Sequence, residues 1–527
     1  MEPSMTDPTR RDLLCYGLGG SAVMVALDGA LIGEVQAQAP AQKRGGSLAY
    51  AQCSGNRRGG DASNTRHPYF MIDLITRSAY NTLTWVNEDL TVVPELATKL
   101  EPADARLNVW DVSVRDDVLF HDGREVTATD WAASFELHRR RNFASGQIQR
   151  TEVTGKHSLR FFLEAGNSEF PYVLAEYDNV VMPADDWQKI GLTGIGTGPF
   201  KIVSADPQRR MVLERNETYW RKGFPYLDRL EVVNREGQME SAINGFRAGQ
   251  FDAVLNIDPR LVRQLQGERD TDIVPASSGD QAVIVLPKHP GSPFLDARIR
   301  RALALAIDRE AIMRVVYGGS RWGWVGNDSH LAGTDPMFVA RPVSRDLAKA
   351  KALLAEAGHP NGITLPTLYY APQWPEMARY FQVVQETVKE AGIILPIEER
   401  PNDGYLNFRT GDADVTKGNF HKFAYTAVGP RNPGISLFRM RSANNESGYW
   451  SGPAHDRYME LYGKAMVTAG AAERKAIYAE MQKICAEEVP ALLPAGRNNV
   501  LIKRPSVIGL KNHPQHWSIM WDGVSRA

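Results

Sequence analysis

No single hydrophobic core can organise a chain of 527 residues, because cores stop growing beyond about 250–300 residues and longer chains divide. Two or more lobes are therefore the first expectation, and the hydrophobic pattern shows where the chain changes character. In the first half, apolar residues recur in short alternating runs. Ser47–Gln52 is one; residues 107–114 are another, with Leu107, Val109, Asp111 and Ser113 alternating with Asn108, Trp110, Val112 and Val114. This period of two predicts partly buried strands, and residues 159–163, 200–203, 211–215 and 230–233 read the same way. One helix is predicted near Thr127, where Thr127 and Asp130 have N-cap spacing ahead of Trp131, Ser134, Phe135 and His138.

The character changes near Pro287, and from Asp296 the period becomes 3.6. Ile299, Ala302, Leu303, Ala306 and Ile307 fall on one helical face. Asp308 restarts the pattern, with Ile312, Val315 and Val316 expected to pack before Gly318 and Gly319 end it. Further helices are predicted over about 345–357, 376–391, 456–467 and 472–488. The Pro-bounded apolar stretches 282–287 and 490–494 are the expected crossings between lobes. A three-residue echo, RxGxxD, occurs at Arg247, Gly249, Asp252 and again at Arg409, Gly411, Asp414. Each copy is expected where a helix hands over to a strand, with chance as the competing explanation.

At the N-terminus, Arg10 and Arg11 precede a weakly apolar run from Tyr16 to Ile32. This pattern looks like a twin-arginine export signal, with the mature chain expected to start within a few residues of Gln42. A membrane anchor is the alternative, but Asp28 and the glycines 17, 19 and 20 interrupt the run that a spanning helix needs. Removing residues 1–39 deletes two arginines and five acids, leaving 59 basic and 57 acidic residues. That balance gives no footprint for nucleic acid. Cys15 falls in the signal, so only Cys53 and Cys485 remain; a disulfide and two free buried thiols are both open. The chain contains no GxSxG, HExxH, CxxC or Walker motif, so the exported-enzyme alternative finds no support among these motifs. The closest histidines, His513 and His516, lack a third neighbouring ligand and read as a tail loop. No catalytic residue, metal or cofactor is expected.

Five blocks in order carry a resemblance: FHDGREVTATDW (120–131), GTGPF (196–200), NETYWRKGFPYLDRLEV (216–232), FLDARIRRALALAIDREAI (294–312) and AKALLAEAGHPNG (350–362). The chain resembles solute-binding protein family 5, the periplasmic receptors for dipeptides, oligopeptides, nickel chelates and related ligands. The resemblance implies an α/β, two-lobed class II periplasmic binding protein with mixed sheets and a hinge. The expected division is a signal over 1–41, lobe I over 42–285, lobe II over 286–489, and a return to lobe I over 490–527. It implies a periplasmic monomer that captures a small molecule and delivers it to ABC-transporter permease subunits in the inner membrane. Most of the shared blocks read as scaffold. GTGPF is a turn, because Pro199 and the strand after it exclude the helix N-terminus of a phosphate cradle.

Ligand contacts are expected in cleft loops. Peptide-binding members carry a tryptophan and then an aspartate shortly before an Asp-Pro pair, and that first aspartate grips the peptide ammonium. The matching stretch here, 423–433, reads FAYTAVGPRNP: the acid is gone and Arg431 stands nearby. Dipeptide receptors also carry a carboxylate-binding arginine just before a proline, where residues 370–375 here read YAPQWP. An ordinary dipeptide is therefore disfavoured. Trp374, Tyr425, Tyr370 and Arg431 are the candidate ligand-binding residues, suiting a solute with apolar surface and an anionic group. Asn56, in the 53–61 loop with Arg57 and Arg58, is a further candidate wall. The alternatives are core packing for Trp374 and Tyr425, and solvated surface for Arg431 and the 56–58 loop. A nickel-chelate or oligopeptide receptor is the alternative within the family.

Overall fold

The computed structural model describes residues 42–53, 77–141, 144–177, 179–185, 194–206, 209–235, 238–340, 344–402, 404–411, 414–441, 445–468 and 470–527. The expected signal segment and Asn56 to Arg58 lie outside these residues.

The period-two runs form strands of two main sheets. Val109–Val114 buries Trp110, Val112 and Val114 on one face and sits in an antiparallel four-stranded sheet with Ala97–Pro102, Ser158–Leu163 and Ile148–Gly155. The strand starts two residues later than expected. Leu107 turns instead, at φ 59°, because the Asp104 carboxylate accepts from the N–H groups of Asn108 and Val109. The helix Ala128–Arg141 packs Trp131 and Phe135 onto this sheet. Asp130 accepts from both the N–H and the hydroxyl of Thr127, which fixes the helix start.

The second sheet has twelve strands and runs through the whole molecule. At one end lie Ile397–Glu399, Leu368–Tyr370 and Ala424–Val428; at the other lie Ala253–Leu255, Ser47–Gln52, Arg229–Asn234, Arg210–Arg215 and Phe200–Asp206. Two long antiparallel strands join the ends: Asp272–Val285 and Ala495–Lys503. The first pairs with Ala495–Lys503 up to Gln281 and with Ala424–Val428 from Gln281 to Val285. Its register slips between Ala276 and Asp280, a bulge that re-aims the strand between its two partners. Just beyond the Pro-bounded crossings, half-buried Lys288 donates to the carbonyls of Leu286, Ser447 and Pro490. Arg300 donates to the carbonyls of Glu488 and Val489, neutralising the C-terminal end of the helix Ala471–Glu488.

The expected helices after residue 296 are present, including Ala297–Ala306, Leu347–Glu356, Met377–Lys389 and Pro453–Val467. Val315 differs from expectation: it is 54% exposed while Ile312 and Val316 are buried. Residues Met313–Tyr317 form a π-helical turn, and its wider i→i+5 spacing takes position i+3 off the buried face. The two RxGxxD copies also diverge. Asp252 accepts from Ala49 N–H and Arg526 beside the strand Ala253–Leu255, whereas Asp414 caps the short turn Val415–Lys417. In GTGPF, a Cβ on Gly198 would lie 2.4 Å from the Ala79 carbonyl carbon, so glycine here permits backbone-to-backbone approach. Cys53 and Cys485 are both buried and free, and burial pushes the Cys53 thiol up to about 12.

The tail is tied down by His513, which is 2% exposed. Gln515 N–H donates to its Nδ1, assigning the proton to Nε2, which donates to Val86 O. Burial pushes this imidazole down to about 4. Between pH 6.5 and 4 the unfolded chain binds a proton that the folded chain refuses, so stability is lost as pH falls. One such group contributes a slope of up to about 1.4 kcal/mol per pH unit. Urea unfolding of His513→Gln between about pH 7 and 4.5 should show a shallower acid dependence than wild type; an identical slope would refute this assignment.

Candidate functional site

Parallel strands end their carboxyl termini on one side of a sheet, and loops leaving that side are where α/β folds gather ligands. Here two such sets face each other. Ser47–Gln52, Arg229–Asn234 and Ala253–Leu255 are parallel neighbours at one end of the large sheet; Leu368–Tyr370 lies parallel to Ile397–Glu399 and to Ala424–Val428 at the other. The segments beyond them meet: Asp258, after the first set, holds Arg379 of the helix Met377–Lys389, after the second, at 3.0 Å.

The loop 371–376 is built to present an indole. Gln373 Oε1 accepts from Ala427 N–H and Asn402 donates to Pro372 O, so the loop is fastened on both sides. Trp374 then stands edge-on to Tyr425, with ring centroids 6.3 Å apart. The Arg497 guanidinium lies 5.3 Å from the centre of the Trp374 ring. Arg497 also pairs with Glu376 at 3.0 Å, and both side chains are fully buried. Burial pushes the Glu376 carboxyl up, and Arg497 pulls it back. Burial works against the charge on Arg497 too, yet Glu376 and Asp280 hold it above its ordinary value. Arg497 Nε and Nη2, Tyr425 Oη and Tyr317 Oη have no hydrogen-bond partner among the described residues. Such a concentration of unsatisfied buried polar atoms marks a place that water or ligand atoms complete.

A second cluster covers the end of Ala424–Val428. Arg431 Nε donates to Glu176 Oε2 at 2.8 Å, with side chains 8% and 5% exposed. Its guanidinium also lies 5.1 Å from the Trp517 ring centre and 5.9 Å from that of Tyr177. The Trp517 indole packs on Gly429, where a Cβ would fall 2.2 Å from it. Nearby, Glu169 accepts from Asn432, from Gly434 N–H and from the Tyr478 hydroxyl.

The candidate residues thus separate. Trp374 and Tyr425 come together within the buried core, Tyr425 from the strand Ala424–Val428; Arg431 lies in the second cluster, its charge already facing a carboxylate. Tyr370 stacks on Phe381 at 4.9 Å, and Phe381 packs on Tyr425, so Tyr370 backs the aromatic row from the core side. Arg497, Glu376, Asp258, Glu176, Tyr177 and Trp517 carry no local pattern that would single them out in the sequence. Among the described residues no group of three or more His, Cys, Asp or Glu side chains could hold a metal ion.

The model for Bacterial extracellular solute-binding proteins, family 5 Middle matches residues 91–448. A probable peptide ABC transporter periplasmic-binding protein of Sinorhizobium fredii is 22% identical over 80% of this chain and 83% of its own length. A nickel-binding protein of Staphylococcus aureus is 22% identical over 79% and 82%. The structure of a periplasmic binding protein in complex with agropinic acid, from Agrobacterium tumefaciens R10, superposes with a TM-score of 0.76 at 19% identity, covering 92% of this chain and 99% of that one. The fold is the two-lobed one of these periplasmic binding proteins. With the family model matching well over half its length, the chain belongs to the bacterial extracellular solute-binding proteins of family 5.

Proposed function

We propose that this protein is the extracytoplasmic receptor of an ABC importer and that it encloses a small organic solute between lobe I (42–285 and 490–527) and lobe II (286–489). The observation that carries this reading is the meeting of two sets of parallel strand ends at Asp258–Arg379, with Trp374 and the incompletely satisfied Arg497 beside them. Trp374 supplies the aromatic wall, with Tyr425 and Tyr370 packed behind it. Asn56, which follows the strand Ser47–Gln52 in sequence, is retained as a further candidate ligand contact. Arg431 closes the cleft by joining Glu176.

The same features disfavour a zwitterionic dipeptide. Residues 423–433 offer no acid for an α-ammonium, and Trp517 occupies the space over Gly429 where a side chain would project. A wider range of solutes is supported by the structural relative solved with agropinic acid. The nickel-chelate alternative rests on the Staphylococcus aureus relative.

Two long strands link the lobes, so capture proceeds by hinge closure. In solution scattering, the radius of gyration should fall when the co-purifying solute is added back to stripped protein. Trp374→Ala should weaken that solute roughly thirtyfold or more, the effect of about 2 kcal/mol at an aromatic hot spot, while circular dichroism stays unchanged. Wild-type affinity in the variant would place the pocket elsewhere, and tight binding without a fall in radius would refute closure.

Export by the twin-arginine route completes the reading. A reporter fused behind residues 1–45 should reach the periplasm, and replacing Arg10 and Arg11 by lysine should stop it. Unchanged export of the double variant would remove this assignment.

A further inference from the structure

The cluster over the end of Ala424–Val428 has the composition of a ligand site, but its occupant belongs to the chain. Glu176 is buried and brings a carboxylate; Tyr177 and Trp517 bring two rings whose centres are 5.3 Å apart. A carboxylate flanked by aromatic faces is a receptor for an organic cation, combining charge-assisted hydrogen bonding with cation–π attraction. The guanidinium that fills it comes from Arg431, on the opposite lobe in the division proposed above.

Arg431 is the cation in direct contact with Glu176. Arg77 and Arg439 also lie close enough to feel Glu176. Arg77 is paired with Glu95 at 2.8 Å and Arg439 with Glu446 at 2.5 Å, so each already answers another acid. Removing Arg431 would leave a buried carboxylate short of a counter-charge, which a folded protein tolerates poorly.

We propose that Glu176, Tyr177 and Trp517 form a site for a small organic cation, and that Arg431 acts as a tethered occupant of it. In this arrangement Arg431 determines specificity by exclusion: a ligand bearing an ammonium or guanidinium at this end of the cleft must compete with a side chain of effectively high local concentration. The same contact gives the closed form a fastening that needs no charge from the ligand.

The inference rests on the receptor reading for its cleft, but its test uses ethylguanidinium and never the transported solute, so the two can fail separately. Wild type, Arg431→Ala and the double variant Arg431→Ala/Glu176→Gln are titrated with ethylguanidinium chloride, with ethylurea and sodium chloride as neutral and ionic controls. Thermal midpoint and heat of binding are recorded. Arg431→Ala should melt lower than wild type and recover saturably with millimolar ethylguanidinium, while ethylurea gives no recovery. Wild type and the double variant should show no saturable response. A folded Arg431→Ala that ignores ethylguanidinium, or a double variant that responds equally, overturns the proposal. Should Arg431→Ala not fold, Glu176→Gln decides: its unliganded radius of gyration must exceed that of wild type, and an unchanged radius overturns the proposal.

Discussion

The antiparallel pairing of Asp272–Val285 with Ala495–Lys503 is the constraint on which the rest of the structure depends. These strands belong to both ends of the large sheet, so whatever fixes them fixes the two sets of strand ends relative to each other. Three cations brace the region around them, each with different partners. Lys288 and Arg300 hold carbonyls at the crossings, and Arg497, on the strand itself, holds Glu376 at the start of the helix Met377–Lys389. A buried pair such as Arg497–Glu376 is a poor source of net stability, yet losing one partner costs about 3–5 kcal/mol. Its value is geometric: it sets Trp374 against a guanidinium and ties the helix start to the crossing strand.

The proposed cleft is organised by which charges are already answered. Asp258–Arg379, Glu376–Arg497 and Glu176–Arg431 each join residues distant in sequence and cross between the proposed lobes. A ligand entering this space meets aromatic surface and a few unsatisfied donors and hydroxyls, with most full charges matched internally. That balance suits a solute recognised by shape, ring stacking and hydrogen bonds. It also bears on closure, because every internal interlobe contact raises the population of the closed form before ligand arrives and lowers the differential affinity the ligand must supply.

Much of the fold was legible because it is written in local period. Alternation located Val109–Val114 and Arg229–Asn234, and the 3.6 repeat located Ala297–Ala306 with its Asp296 cap. Expectation and structure part where a local feature overrides the period: an Asp104-centred turn at Leu107 and a π-helical turn at Val315. The site was legible only where neighbours in sequence share it, as with Trp374 in its loop. Arg497 and Glu376 are 121 residues apart, and Arg431 and Glu176 are 255 apart. Nothing in local pattern distinguishes those arginines and acids from solvated ones. Trp517 likewise carries no local signal, and its place over Gly429 is a tertiary fact.

The most direct measurement is mass spectrometry of the small molecules and metals released when the protein, purified from exporting cells without added ligand, is denatured. A receptor with this aromatic, internally charge-matched cleft should release one organic solute, neither a dipeptide nor a nickel chelate, in near-stoichiometric amount, and that solute should rebind. Stoichiometric release of a dipeptide would contradict the specificity argued from residues 423–433 and Gly429, and release of nickel would replace the organic-solute reading by the chelate alternative.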